Sequence, residues 1–311
     1  MKENEIQQRQ APPCLKRDDL PQPDLPRDTP EDTPAVQDPE TTAPPIRLGS
    51  FAFQQIRSAT AIVTYGGVRF LIDPWLGDKE SVPGLPAAYE PTRRSPIHDL
   101  PLPISEITQV DAVIATHLHF DHFDEAAATV LPKDMPIFTQ DGVDAATLRS
   151  RGFNDVRILR FNGTDFKGVT LYKVDCMHAA PGERGRLYEA YQMRGDACGV
   201  VMRHPDVEKA LYLAGDTIWC DYVADAIHNF QPGVIVVNAA EATLRGFSPI
   251  IMGLHDLRKV LAYAPNATVV ASHMDNVPHA RLTRKDLRLF VEMNHLQQRL
   301  LVPEDGETLL F

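Results

Sequence analysis

The chain has 311 residues, 43% of them hydrophobic and 23% charged, with a net charge of −11. That is an ordinary globular mixture, and its acidity argues against gripping nucleic acid by counterion release or docking on an anionic membrane surface. No apolar run reaches the roughly 18 residues that a membrane-spanning helix needs.

Proline divides the chain. Of 26 prolines, 10 fall in residues 1–45, a stretch without Gly, Phe, Tyr or Trp that carries 10 acidic and 5 basic side chains. Such a segment buries too little apolar surface to offset its ordering entropy. Residues 1–46 are therefore expected to form a disordered, Pro/acid-rich arm, and residues 47–311 one folded domain. No apolar core follows Met1 and Lys2, as a secretory signal requires, so a cytoplasmic location is expected. Cys14, Cys176, Cys198 and Cys220 form no C-x-x-C pair. Free thiols are expected rather than disulfides or a thiolate zinc site.

In chain order, Phe51–Ile56 and Ala61–Tyr65 read as strands. Gly66-Gly67 reads as a hairpin turn into a third strand, Val68–Ile72. A proline-rich loop, Gly77–Ser105, is long enough to be functional or mobile. Val110–Ala115 is a short apolar run, read as a buried strand, and Asp124 can cap a helix over Glu125–Leu131. Pro136–Thr139, Val156–Arg160 and Val169–Met177 read as strands, with a helix at Asp144–Arg151. Gly199–Arg203 and Ala210–Ala214 form a further pair. Then strand and helix alternate: helix Thr217–Phe230, strand Val234–Asn238, helix Leu254–Ala264, strand Thr268–Ser272 and helix Arg284–Asn294. Leu300–Pro303 and Thr308–Phe311 suggest a closing hairpin. The order predicts an α/β fold of two sheets packed face to face, with helices outside.

The chemistry concentrates at His117-Leu118-His119-Phe120-Asp121-His122, directly after the buried strand. Alternate positions of an extended loop point the same way, so His117 and His119 can chelate one metal ion. Asp121 and His122 can then face a neighbouring position. Imidazole and carboxylate ligands suit zinc, iron, manganese or nickel.

This hexapeptide resembles the H-x-H-x-D-H hallmark of the metallo-β-lactamase superfamily. The family's other landmarks have counterparts in order: Asp73 in Ile72-Asp73-Pro74, His178 in Cys176-Met177-His178, Asp216 in Ala214-Gly215-Asp216-Thr217, and His273 in Ser272-His273-Met274. The resemblance spans residues 48–311. It implies a four-layer αββα sandwich, two mixed β-sheets flanked by helices. It also implies one or two divalent transition metals, zinc foremost, with manganese or iron as alternatives. By position, His117, His119 and His178 would hold one ion. Asp121, His122 and His273 would hold the second, and Asp216 would bridge them. Asp73 would buttress the metal loop. A metal-bound hydroxide would attack the substrate, with Asp121 orienting it and passing its proton to the leaving group.

The residues themselves leave some choices open. Asp73 alone is a turn residue, and Asp216 alone is a helix cap. His255, at a helix start, and His279 compete with His273 as the last ligand, and either can instead line the pocket. His98, His204, His228 and His295 read as surface residues. Arg184 and Arg186, in a variable loop, are candidates for binding a substrate phosphate or carboxylate.

Within the superfamily, Thr64-Tyr65-Gly66-Gly67-Val68 and Ala214-Gly215-Asp216-Thr217 resemble the L-ascorbate-6-phosphate lactonase-like branch, which also contains phospholipase D-like proteins. That branch implies a hydrolase of a small ester, lactone or phosphoester. A phosphodiesterase or phospholipase D-like hydrolase is the alternative within the fold. A different class remains: a non-hydrolytic metal-binding or interaction protein docking through its arm. The expected partner is a small-molecule substrate, with no nucleic acid, no membrane span, and homo-oligomerisation left open.

Overall fold

A computed structural model describes residues 50–191 and 194–311; the expected arm lies outside the described residues. The first half of the fold runs β1 (Ala52–Arg57), β2 (Thr60–Tyr65), β3 (Val68–Ile72), α1 (Ile104–Ile107), β4 (Ala112–Ala115), α2 (Glu125–Val130), β5 (Ile137–Thr139), α3 (Gly142–Ser150) and β6 (Val156–Ile158). The second half opens with β7 (Thr164–Phe166), β8 (Val169–Asp175), α4 (Arg184–Tyr191), β9 (Cys198–His204) and β10 (Val207–Leu213). It continues with α5 (Asp221–Phe230), β11 (Val234–Asn238), α6 (Leu254–Tyr263), β12 (Thr268–Ser272), α7 (Arg284–Met293), β13 (Leu300–Leu301) and β14 (Thr308–Leu310).

The strands form two seven-stranded sheets, ordered β14-β1-β2-β3-β4-β5-β6 and β13-β12-β11-β10-β9-β8-β7. In both, antiparallel pairing at one end gives way to parallel pairing at the other. The period-two alternation of strands decides the layers. Ala61, Val63, Tyr65 and Phe70 point inward and meet Leu211, Leu213 and Val236 of the other sheet. Their neighbours Ile62 and Leu71 point outward and pack with Ala127 and Leu148 of α2 and α3. On the second sheet, Tyr212 faces outward toward Val223, Leu257, Val260 and Leu287 of α5, α6 and α7. The expected αββα sandwich is thus built from strands that are apolar on both faces.

The Gly66-Gly67 turn joining β2 and β3 has φ of +57° and +78°. Two successive left-handed residues match the twist of a tight hairpin, and glycine adopts them without a Cβ penalty.

Four local expectations change. The closing hairpin does not form: β13 pairs with β12 in one sheet and β14 with β1 in the other. Leu301 and Leu309 both reach the inter-sheet core, which strands of a single hairpin at one sheet edge would not do. The helix expected from Thr217 starts at Asp221, because the Thr217 hydroxyl accepts from the Met177 amide at 2.9 Å and donates to the Ile218 carbonyl at 2.8 Å. Residues 184–191, expected as loop, form α4, whose sequence buries only Leu187 and so carries little periodic signal. The short strand β7 was likewise not foreseen.

Candidate metal centre

Within the two sheets β1, β3, β4, β8, β10 and β12 all present their C-terminal ends to one edge. The residues that follow those ends build the site, as is usual for sheets with parallel strands. Three overlapping groups have ligand atoms within 4.8 Å of one another: His117, His119 and His178; His117, His122 and Asp216; and Asp121, His122 and His273.

In the first group, His117 Nε2 lies 2.8 Å from His119 Nδ1, and His178 Nε2 lies 3.3 Å from the same atom. In the second region, His122 Nε2 lies 3.1 Å from His273 Nε2, and His273 Nε2 lies 3.4 Å from Asp121 Oδ2. Asp216 Oδ2 sits between them, 3.2 Å from His122 Nε2, 3.5 Å from His178 Nε2 and 3.9 Å from His117 Nε2.

Each ring is oriented from behind. His119 Nε2 donates to the Arg194 carbonyl at 2.8 Å, His178 Nδ1 to the Ile250 carbonyl at 2.8 Å, and His122 Nδ1 to Asp73 Oδ2 at 2.9 Å. A neutral imidazole carries one N–H, so the opposite nitrogens of His119 and His178, both facing the cluster, present lone pairs, whereas Asp216 and Asp73 favour a second proton on His122 until a cation displaces it. Lone pairs then confront one another and the Asp216 carboxylate at near-contact distance. Divalent cations resolve that repulsion, and outer partners that fix the tautomer are the usual support of metal-binding histidines. The donor set therefore fits metal binding.

Asp73 lies behind the centre, only 1% exposed. Its carboxylate accepts from the Thr116 amide at 2.7 Å, the Thr116 hydroxyl at 2.8 Å and His122 at 2.9 Å. Those bonds occupy it, so its place is that of a positioning residue and not of a group touching substrate. Asp73 and His273 have φ of +44° and +61°, a left-handed backbone that costs of order 1–3 kcal/mol per non-glycine residue and clusters at functional sites. Gly215 precedes Asp216 with φ of +68°, and a Cβ there would come 2.5 Å from the Cys198 carbonyl oxygen. Glycine alone permits the turn that delivers Asp216.

Burial, and then the neighbouring rings of His122 and His119, hold His117 well below the ordinary histidine range. Burial pushes His119 down to about 4 and also lowers His178. Burial opposes a charge on His122 and His273 too, but Asp216, together with Asp73 for His122 and Asp121 for His273, outweighs it and raises both. Burial would raise Asp121 and Asp216, yet the surrounding histidines hold both below the usual carboxylate range.

The seven expected ligands thus converge. His279, also expected near substrate, is buried beside them, within reach of the charges of Asp121, His273, Asp216 and His178. His255 is exposed on the first turn of α6 and belongs to none of the three groups. Arg184 pairs with Asp196, and Arg186 leans on Phe247 at 4.9 Å and lies 3.9 Å from Glu183. His98, His228 and His295 are exposed, and His204 is half-buried. Among the described residues, Cys176, Cys198 and Cys220 are not joined in disulfides.

Several supporting groups carried no sequence signal. Ser58, after β1, lies 3.3 Å from His273 Nδ1 through its hydroxyl, and Thr116 does the same for His117 at 3.1 Å. Asn238 donates to Asp216 Oδ1 at 2.6 Å; a polar residue ending an apolar buried strand was the one available hint. The Arg194 and Ile250 partners act through backbone carbonyls, which no side-chain pattern reveals.

A two-sheet sandwich carrying such a cluster on its strand ends defines a metal-dependent hydrolase of the metallo-β-lactamase fold. Residues 68–274 match the β-lactamase superfamily domain, and the chain belongs to that family. UPF0173 protein YddR of Bacillus subtilis (strain 168) is 41% identical over 258 residues, 83% of this chain and 98% of the relative. Among solved structures, an isothiocyanate hydrolase from Delia radicum gut bacteria has a TM-score of 0.79 at 42% identity, covering 84% of this chain and 99% of that one. A possible metal-dependent hydrolase from Veillonella parvula DSM 2008 has a TM-score of 0.78 at 38% identity, covering 85% and 99%. No helix among the described residues is long and apolar enough to cross a membrane.

Proposed function

We propose that the chain hydrolyses a small, uncharged electrophile at a two-metal centre, and that the electrophile is an isothiocyanate. The observation that carries the metal chemistry is the convergence of the rings of His117, His119, His122, His178 and His273 on Asp121 and Asp216. The substrate class is supported by the similarity to an isothiocyanate hydrolase, 42% identical over nearly the whole of that chain.

His117, His119 and His178 would hold one ion, Asp121, His122 and His273 the other, with Asp216 between them. Ions bound there supply Lewis acidity and lower the pKa of water. Asp121, beside the second position, is placed to accept a proton from the attacking water and return it to the leaving nitrogen. Water adds its oxygen to the central carbon of R–N=C=S, the nitrogen takes up the protons, and the C–N bond breaks. The products are an amine, R–NH2, and carbonyl sulfide.

The arginines near the site favour an uncharged substrate over the phosphoester expectation. Arg194 is bound by Asp141 at 3.0 Å, Asp144 at 3.0 Å and Asp196 at 3.2 Å. Arg184 also pairs with Asp196. Their charge is spent within the chain. Lactones and esters remain the comparison substrates.

The test is a panel of an alkyl isothiocyanate, a lactone, a carboxylic ester and a phosphodiester, given to zinc- or manganese-loaded full-length protein. The expected result is release of the amine from the isothiocyanate, abolished by chelator and restored by metal. Protein holding two metal equivalents that leaves the isothiocyanate intact overturns the substrate assignment. Inactivity across the whole panel overturns the hydrolase reading.

A further inference from the structure

His279 is a buried titratable side chain near the centre that neither the ligand set nor its hydrogen-bonded supports use. It is 6% exposed, and its Nδ1 is buried without a hydrogen-bond partner among the described residues. Buried polar atoms are satisfied in nearly every case, so an orphan at the rim of a reaction centre needs an explanation.

Its surroundings are built, not loose. The His279 carbonyl accepts from the Thr243 amide at 2.9 Å, and the next turn is clamped as Arg281 and Leu282 donate to the Ala240 carbonyl at 2.9 and 3.0 Å. Ala240 follows Asn238, whose side chain holds Asp216. One segment therefore fixes both the bridging carboxylate and the loop of His279. The adjacent Ala280 packs into the apolar cluster of Leu187, Ala179 and Ile250. Ala179 follows His178, and the Ile250 carbonyl orients His178. A side chain so constrained, near enough to feel the charges of Asp121, His273, Asp216 and His178, stands next to the centre.

We propose that His279 is a catalytic residue whose Nδ1–H donates a hydrogen bond to the substrate heteroatom flanking the attacked carbon, the nitrogen of an isothiocyanate. The bond strengthens as negative charge builds on that nitrogen, so it acts on the transition state more than on the bound substrate. The orphan atom then gains its partner only when the site is filled. This assignment rests on the hydrolase reading above.

Two variants and two readouts test it. In His279→Ala the donor is lost. In His279→Asn an amide N–H stands close to the Nδ1 position. With zinc-loaded full-length protein, His279→Ala is expected to keep its zinc and lower kcat on the isothiocyanate by about a hundredfold, with KM little changed. His279→Asn is expected to recover most of that loss. Independently of turnover, thiocyanate, a linear anion of similar shape, is titrated by calorimetry. Its affinity is expected to fall about tenfold in His279→Ala and to return in His279→Asn. The proposal is overturned if His279→Ala binds thiocyanate as tightly as the parent, if it loses zinc, or if Asn restores neither readout. Should the parent fail to turn over isothiocyanates, the substrate assignment falls while the thiocyanate comparison still decides the role of His279.

Discussion

In the first half of the molecule, one loop after β4 delivers His117, His119, Asp121 and His122 together. In the second half, His178, Asp216 and His273 arrive one at a time, after β8, β10 and β12. Both halves use the same plan of antiparallel strands passing into parallel ones. The contrast lies in what holds the ligands. The contiguous loop is braced at its base by one buried carboxylate, Asp73, which takes three hydrogen bonds from it, with His119 alone held from elsewhere by the Arg194 carbonyl. The scattered ligands are each set by a separate partner: Ile250 for His178, Asn238 for Asp216 and Ser58 for His273. Local spacing builds one half of a site, and tertiary packing builds the other.

That contrast is open to test. The largest effect is expected at Asp216, which touches ligands from both halves. Asp216→Ala should lower bound metal by more than one equivalent and reduce kcat/KM by at least about 10³-fold, measured by elemental analysis and single-substrate kinetics. Equal losses from Asp216→Ala and His119→Ala would erase its bridging distinction. Next comes His119→Ala, expected to remove one equivalent and to lower kcat/KM by less than Asp216→Ala does, read by the same two measurements.

Asp73→Asn should leave the fold intact while weakening metal affinity by about 10–100-fold, because the outer partner of His122 is replaced. Competition with a coloured chelator reads this directly. Unchanged affinity would mean that the loop needs no brace.

Proton release sharpens the comparison further. In the metal-free protein His122 and His273 have raised pKa values, so cations must displace their protons. His117, His119 and His178 are lowered and already neutral near pH 7. Affinity at the Asp121–His122–His273 position should therefore rise with pH through neutrality, and the His117–His119–His178 position should respond less. Calorimetry in buffers of different ionisation enthalpy counts the protons. A pH-independent second affinity would contradict the sign. The smallest effect is expected for Arg184→Ala. That surface pair has side chains 54% and 40% exposed, worth about 0–1 kcal/mol after solvent screening. Turnover of an uncharged substrate should stay within about twofold.

Legibility in the sequence followed the same division. The hexapeptide His117–His122 declares a metal site by itself, since its spacing suffices to bring imidazoles to one side. His178, Asp216 and His273 each have an ordinary explanation in isolation, and only the order of landmarks in a resembling family ties them together. The strands were legible because burial on both faces makes them continuously apolar, as in Val234–Asn238. Helix α4 was not, because a short cap over a loop cluster needs one buried leucine and no stripe. The fate of β13 and β14 was hidden for another reason: two short apolar runs state that they pair, but not with which edge.

The turn after β1 has a kinetic consequence. The Ser58 carbonyl accepts from the His273 amide at 2.9 Å and from the Ser272 hydroxyl at 3.1 Å, and the Ser272 hydroxyl lies 2.8 Å from Gln55 Oε1. These bonds stitch the two sheets together directly beneath the ligands. His273 can leave its place only as this seam parts, an opening that deuterium uptake at the His273 amide would report. Exchange at the His273 amide should accordingly be slow, and its rate should follow the opening of the sandwich more closely than the motion of the turn alone.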